Sequence, residues 1–253
     1  MIRFVGDLGN SRLKWGWLDE TGRLVEAIAL PLEEPTAWDA TWNQWSRRDP
    51  GPSSWAISSV NPPAADRLEQ FLKTRGAGSV CWLRSAADVP VRHSLDQPET
   101  TGADRALAVS AAVRLMPQAR PGLVVSCGTA ITVERITAQG IWQGGAIATG
   151  LRLAAQALHL LTAQLPLVEV RHAPPAWGSS TRPALESGVY WGVVGAVREL
   201  LTRQADDLHG DPWVVWTGGD AALLAGPIAG SEARIEPDLV LIGLSHLHHF
   251  TPP

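Results

Sequence analysis

Arg3-Phe-Val-Gly-Asp7-Leu-Gly-Asn-Ser-Arg-Leu-Lys14-Trp-Gly-Trp-Leu18, followed by Asp19-Glu-Thr-Gly22, is the stretch on which the reading of this chain turns. An apolar run ends at an acid, breaks into a Gly-Asn-Ser turn, and resumes as a second run that reverses at Thr-Gly. The pattern predicts strand, tight loop, strand, hairpin turn and a third strand over Arg23–Leu30. A turn of glycine and small polar residues points several backbone N–H groups one way and forms an anion nest. An acid one residue before such a nest can hold the cation of a metal–phosphate. Taken alone, the stretch reads equally well as an ordinary hairpin with a polar turn.

The chain repeats the layout. Leu123-Val-Val-Ser126-Cys-Gly128-Thr129-Ala-Ile-Thr132-Val-Glu-Arg-Ile136 runs on to Thr137-Ala-Gln-Gly140. Asp7 and Ser126 stand 119 positions apart in 253 residues, so one such hairpin opens each half. The expectation is a duplicated α/β protein with halves 1–118 and 119–253 and a nucleotide held between them.

Composition narrows the classes. A hydrophobic fraction of 45% with 18% charged residues describes an ordinary globular chain with ample core. A net charge of −4 gives no electrostatic footprint for nucleic acid. No run approaches the roughly 20 apolar residues of a membrane span. No charged leader precedes an apolar segment at the start, so a cytoplasmic location is expected. The two cysteines, Cys81 and Cys127, lie far apart in apolar runs and suggest neither a disulfide nor zinc. Twelve tryptophans stand against three Phe and one Tyr. Trp38, Trp42 and Trp45 fall at helical spacing, and packing is their expected role.

Between the hairpins, strands at Trp55–Val60 and Val80–Leu83 flank a helix over Ala64–Arg75, capped by Asn61-Pro and closed by Gly76. The alternation predicts a largely parallel sheet covered on both faces. Arg84 to Thr101 has no clear period, and a segment of that length is often functional. It leads into Thr101-Gly102-Ala103-Asp104-Arg105 at the mouth of a helix. Asp104 either complements the helix dipole or serves a site. In the second case Arg105 clamps an anionic substrate and Asp104 accepts a hydroxyl proton. Gly144-Gly145 before the next helix, Leu151–Leu165, marks a tight bend or a close approach of backbone to ligand. A helix over Pro183–Leu208 carries Gly188, Gly192 and Gly195 near one face, a packing signal within the fold or across a dimer. Trp213–Thr217 runs into Gly218-Gly219-Asp220 and a helix over Ala221–Ala225, a seat for adenosine or phosphate. Asp238 opens the last helix, where His246, His248 and His249 either chelate a metal or form a solvated face.

These residues resemble one family across nearly the whole chain, the type III pantothenate kinases, which include the Bvg accessory factors. Asp7-Leu-Gly-Asn-Ser is similar to its D-x-G-N-[ST] loop, Gly102-Ala-Asp104-Arg105 to G-x-D-R, and Ser126-Cys-Gly-Thr-Ala-Ile-Thr132 to D-x-G-T-A-x-T. Gly144 to Gly150 resembles G-G-x-I-x-P-G, and Thr217-Gly-Gly resembles a late T-G-G turn. The resemblance implies two ribonuclease H-like domains of the actin-like ATPase type, with mixed sheets flanked by helices and a cleft between the halves. It implies ATP-dependent phosphorylation of the primary hydroxyl of pantothenate by a homodimer, the first step towards coenzyme A. It further implies ATP with Mg2+ and a monovalent cation, K+ or NH4+. On the matching positions, Asp7-Leu8-Gly9-Asn10-Ser11-Arg12-Leu13-Lys14 and Thr129 bind ATP, with Asp7 holding magnesium through water. Gly9 to Ser11 and Gly128-Thr129 donate to phosphates. Asp104 is the general base, while Gly102, Ala103, Arg105, Thr181 and the position of Leu95 hold pantothenate.

Three departures bear on that inference. Ser126 stands where the family has the acid of its monovalent-cation site, and a neutral hydroxyl leaves that site weaker, rebuilt or absent. Leu95 and Gln97 stand where the family has the tyrosine and asparagine of Y-x-N-P, which removes a hydroxyl contact. Thr149 replaces the proline of the glycine-rich turn. Two alternatives remain open beside an active pantothenate kinase: a weakened member serving as a regulatory or binding protein, and a kinase for a different hydroxylated acid.

Overall fold

A computed structural model describes residues 2–48 and 54–247. The chain forms two compact units, one of Met1–Val91, Asp96–Leu115 and Asp238–Pro253, the other of Arg92–Leu95 and Met116–Pro237.

The first unit opens with β1 (Phe4–Leu8), β2 (Arg12–Leu18) and β3 (Leu24–Pro31), followed by α1 (Pro35–Arg48), β4 (Trp55–Ser59), α2 (Pro62–Thr74), β5 (Val80–Leu83) and α3 (Ala103–Leu115). Gly22 turns the first hairpin at φ 81°, a left-handed conformation that glycine adopts without a Cβ penalty. The Asp19 carboxylate accepts from the backbone of Thr21 and Arg23 and locks that turn. The five strands lie in the order β3-β2-β1-β4-β5. The β1, β2 and β3 neighbours are antiparallel, while β1, β4 and β5 run parallel. Asn61 caps α2 by accepting from the Ala64 N–H, with Pro62 at its first turn, as its sequence predicts.

The tryptophans are packing residues in this unit. Trp15, Trp38, Trp45 and Trp55 are buried in one core with Phe4, and partly buried Trp42 and Phe71 pack against it. Phe4 stacks on Trp45 and on Trp55 at 5.6 and 4.9 Å between ring centroids. Offset or tilted pairs of this kind each add about 0.5–1.5 kcal/mol beyond burial. The Trp38 indole N–H donates to the Pro31 carbonyl at 2.8 Å, whereas the buried Trp15 N–H meets no acceptor.

The second unit consists of β6 (Gly122–Cys127), β7 (Ala130–Ile136), β8 (Trp142–Thr149), α4 (Leu151–Leu160), α5 (Thr181–Asp206), β9 (Trp213–Thr217), α6 (Ala221–Ala229) and β10 (Arg234–Ile235). Its sheet order is β8-β7-β6-β9-β10, with the same strand directions as in the first unit. Both units therefore carry one topology, that of the ribonuclease H-like, actin-like ATPase fold. Residue register extends the duplication: Asp7 pairs with Lys14 and Ser58, and Ser126 pairs with Thr132 and Thr217.

Three local readings are corrected. Gly144 and Gly145 lie within strand β8, and they mark close strand packing, since a Cβ at Gly145 would stand 2.0 Å from the Val133 carbonyl oxygen. Helix α4 ends at Leu160 rather than continuing to Leu165. Leu160 and Leu161 are 76% and 84% exposed, so the apolar pattern runs on past the surface that could bury it. The segment 84–101 is not structureless: it contains two short 3-10 turns, and Arg92–Ser94 bonds to Trp142 beside β8.

The last helix, α7 (Leu239–Ser245), belongs to the first unit. His246 follows it with a lowered pKa caused by burial and by the Arg114 charge. His248 and His249 lie outside the described residues.

Candidate active site

In the first unit the site grows from three adjacent strands. Asp7 sits one residue from the end of β1, in register with Lys14 of β2 on one side and Ser58 of β4 on the other. The fully buried Ser58 hydroxyl donates to Asp7 Oδ1 at 2.8 Å. Lys14 Nζ lies 3.3 Å from Asp238 Oδ1. Burial pushes the pKa of Asp7 up to about 6, and the negative charge of Asp104 pushes the same way. The Ser58 hydrogen bond and the Lys14 charge pull it back only in part.

Asp104 is the second residue of α3, and its Oδ1 accepts from the Arg105 N–H at 2.9 Å. The carboxylate folds back over Gly102: a Cβ at that glycine would lie 2.4 Å from Oδ1 and 3.3 Å from Val60 Cγ1. Glycine is thus the residue that leaves this carboxylate its place. The electrostatic pressure of Asp104 on Asp7 brings the two acids into one neighbourhood. A helix-dipole role for Asp104 would not require that. Two carboxylates, one raised by the other, form a donor set with surplus negative charge, which a divalent ion bound to phosphate would relieve. Among the described residues, no three His, Cys, Asp or Glu side chains form a metal-holding group.

The loop between β1 and β2 is tight. The Gly9 N–H donates to the Arg12 carbonyl at 3.1 Å, so this donor closes the turn, and Asn10 is exposed at the tip. Leu8 and Leu13 are core side chains, as is Ala103, so any ligand contact from them comes through the backbone.

The second unit repeats the loop in neutral form. The Gly128 N–H donates to the Ala130 carbonyl at 3.1 Å, as Gly9 does in its own loop. The backbone of 127–129 is pinned from two sides. Gly150 and Gly218 approach so closely that a Cβ would stand 2.1 Å from the Gly128 oxygen or 2.3 Å from the Cys127 oxygen. Ser126 is half-buried, the Thr132 hydroxyl is buried without a hydrogen-bond partner, and Thr217 donates to the Pro237 carbonyl at 3.4 Å. Where the first unit carries Asp7, Lys14 and Ser58, this one carries three hydroxyls. Burial pushes the Cys127 thiol up to about 12, which keeps it unreactive.

Of the expected substrate residues, Arg105 follows Asp104 in the first unit, while Thr181 begins α5, exposed, in the second. Leu95 lies against Gly144 of β8. Two residues of this cluster went unread in the sequence. Ser58 is signalled only by a polar pair closing an apolar strand, and Asp238 only by its place before a helix.

The type III pantothenate kinase family model matches residues 3–203. A type III pantothenate kinase of Porphyromonas gingivalis is 41% identical over 196 residues, covering 75% of this chain and 77% of that protein. One from Chlorobaculum parvum is 31% identical over 253 residues, covering 97% and 94%. Among solved structures, a Baf family transcriptional activator from Campylobacter jejuni superposes with a TM-score of 0.60 at 20% identity, covering 97% of both chains. The activator of 2-hydroxyisocaproyl-CoA dehydratase from Clostridium difficile, solved with bound ADPNP, gives 0.52 at 11% identity, covering 97% of this chain and 93% of that one. At those identities the two superpositions establish the fold alone.

Proposed function

The chain belongs to the type III pantothenate kinase family, and from that premise we propose that it transfers the γ-phosphoryl group of ATP to the primary hydroxyl of pantothenate. The observation that carries the reading is the pairing of Asp7 with Asp104 in one electrostatic neighbourhood, Asp104 standing at a helix mouth kept open by Gly102.

Phosphoryl transfer demands positioning and charge neutralisation more than covalent chemistry from the protein. Asp7, near the end of β1, would hold the hydrated divalent ion, and Asn10 and Ser11 would address the phosphates from the first loop. Thr129 does so from the second. Asp104 accepts the proton of the attacking hydroxyl, Arg105 holds the substrate carboxylate, and Thr181 is a further pantothenate-contacting residue. Bound Mg2+ supplies neutralisation of the phosphate charge and of the two carboxylates. The working form is a homodimer joined across α5. Gly188, Gly192 and Gly195 support this, since a Cβ at any of them meets nothing within 4 Å.

A second reading, a member that binds nucleotide without turnover, is favoured by the three hydroxyls at the head of the second sheet. The test is pantothenate-dependent ADP release with Mg2+, with and without K+ or NH4+, and a panel of other hydroxy acids. Formation of phosphopantothenate supports the kinase. ATP binding with no ADP release under any cation or acceptor favours the second reading. Release with another hydroxy acid alone reassigns the substrate to the Leu95 and Gln97 changes.

A further inference from the structure

We propose that Asp238 is a positioning residue that holds the Lys14 ammonium at the head of β2 and keeps it from collapsing onto Asp7. The inference rests on the kinase reading for the identity of the ligand, ATP.

Lys14 sits in register with Asp7, and its charge acts on that carboxylate. A lysine is a point charge on a flexible stem, and left alone beside two acids it would pair with the nearer one. That pairing would occupy the carboxylate that a metal–phosphate needs. Asp238 Oδ1, 3.3 Å from Nζ, gives the ammonium an anionic partner other than Asp7. Both side chains are about a third exposed or less, at 27% and 34%, so solvent weakens the pair without abolishing it.

Two features single out Asp238 among surface acids. It occupies the N-cap of α7, where an aspartate ordinarily accepts from the first helical N–H groups. Its side chain makes no such bond. The carboxylate is turned away from the cap and towards Lys14. Moreover, α7 is seated so that this acid has little freedom. A Cβ at Gly243 would stand 2.4 Å from the Leu107 oxygen of α3, so the two helices meet backbone to backbone. Leu239, Leu241 and Leu244 are fully buried, with Leu241 over Gly16 of β2. The helix is thus anchored both on α3, which carries Asp104 in its first turn, and on the strand that carries Lys14. A rigid mount of that kind suits a residue whose task is to aim another.

The test is a double-mutant cycle with Asp238→Ala and Lys14→Ala, following the KM for MgATP, the KM for pantothenate and kcat. Each single variant should raise the KM for MgATP about fivefold, as expected for a partly exposed pair, while leaving the pantothenate KM near its starting value. The double variant should be no worse than Lys14→Ala, and Asp238→Glu should recover most of the loss. Effects that multiply, or an Asp238→Ala protein with a lowered Tm and an unchanged KM for MgATP, overturn the proposal. If Asp238→Ala fails to fold, Asp238→Asn, close to isosteric, replaces it in the same cycle. Calorimetric ATP binding without acceptor separates this inference from the one it rests on. Coupled loss of ATP affinity in a chain that phosphorylates nothing sinks the kinase reading and keeps the Asp238 role. An active kinase with an additive cycle sinks the Asp238 role alone, and a chain that binds no ATP sinks both.

Discussion

The Ser58 hydroxyl donates a 2.8 Å hydrogen bond to Asp7 Oδ1 across the parallel β4–β1 pair. Ser58 is fully buried, and this bond lowers the pKa of a carboxylate that burial and Asp104 both raise. It therefore favours the ionised form, the one a cation can use. Ser58→Ala should move the acid limb of the kcat/KM profile to higher pH and reduce stability by about 1 kcal/mol. An unmoved acid limb would show that Asp7 does not govern it.

Asp7 itself sets a pH dependence of stability with a definite sign. Its folded-state pKa, about 6, lies above the ordinary 3.8, so between those values the folded chain binds more protons than the unfolded one. This group's contribution to stability is then fully present below the ordinary value of 3.8 and is lost as pH rises through about 6. Activity runs the other way, falling below about pH 6 as the carboxyl protonates. Calorimetric Tm measured from acid to neutral pH should fall more steeply in the wild type than in Asp7→Asn. Equal slopes would refute the assignment.

Gly102 and Asp104 should fail in different ways. Asp104→Asn should lower kcat by roughly 10²–10⁴ with ATP binding nearly intact, as for loss of a general base. Gly102→Ala keeps the base but places a methyl where the Asp104 oxygen now lies, 2.4 Å away. A displacement of about 1 Å can cost roughly 10²-fold, so a kcat loss of that order is expected. Full activity in Asp104→Asn, measured by coupled ADP release, would remove Asp104 from the mechanism, and full activity in Gly102→Ala would show that the carboxylate shifts without loss of function.

The open face of α5 gives a test of assembly. Nothing lies within 4 Å of a Cβ at Gly192, so Gly192→Glu should leave the monomer's fold undisturbed. It should shift sedimentation from dimer to monomer if this face is the interface. A dimer that persists unchanged places the interface elsewhere.

Much of this was legible from order along the chain. Asp7 and Ser126 announce two equivalent hairpins because the strand period and the glycine turns are local properties, set by backbone sterics within a few residues. The repeated sheet order and the shared register of Asp7 and Ser126 follow that reading. The helix capped by Asn61 was legible for the same reason. Leu161 to Leu165 misled, because an apolar period forms a helix only where a neighbour buries its face, and that neighbour is not encoded locally.

The amino-acid order by itself determined the duplicated α/β architecture, the two equivalent glycine loops and the acid at a helix mouth. Only the tertiary structure decided which groups act on one another: Ser58 on Asp7, Asp104 on Asp7, Asp238 on Lys14. The reason is physical. Hydrogen bonds and charge interactions fall off within a few ångströms, and residues as remote in sequence as Lys14 and Asp238 come that close only when a helix from the far end of the chain packs onto β2.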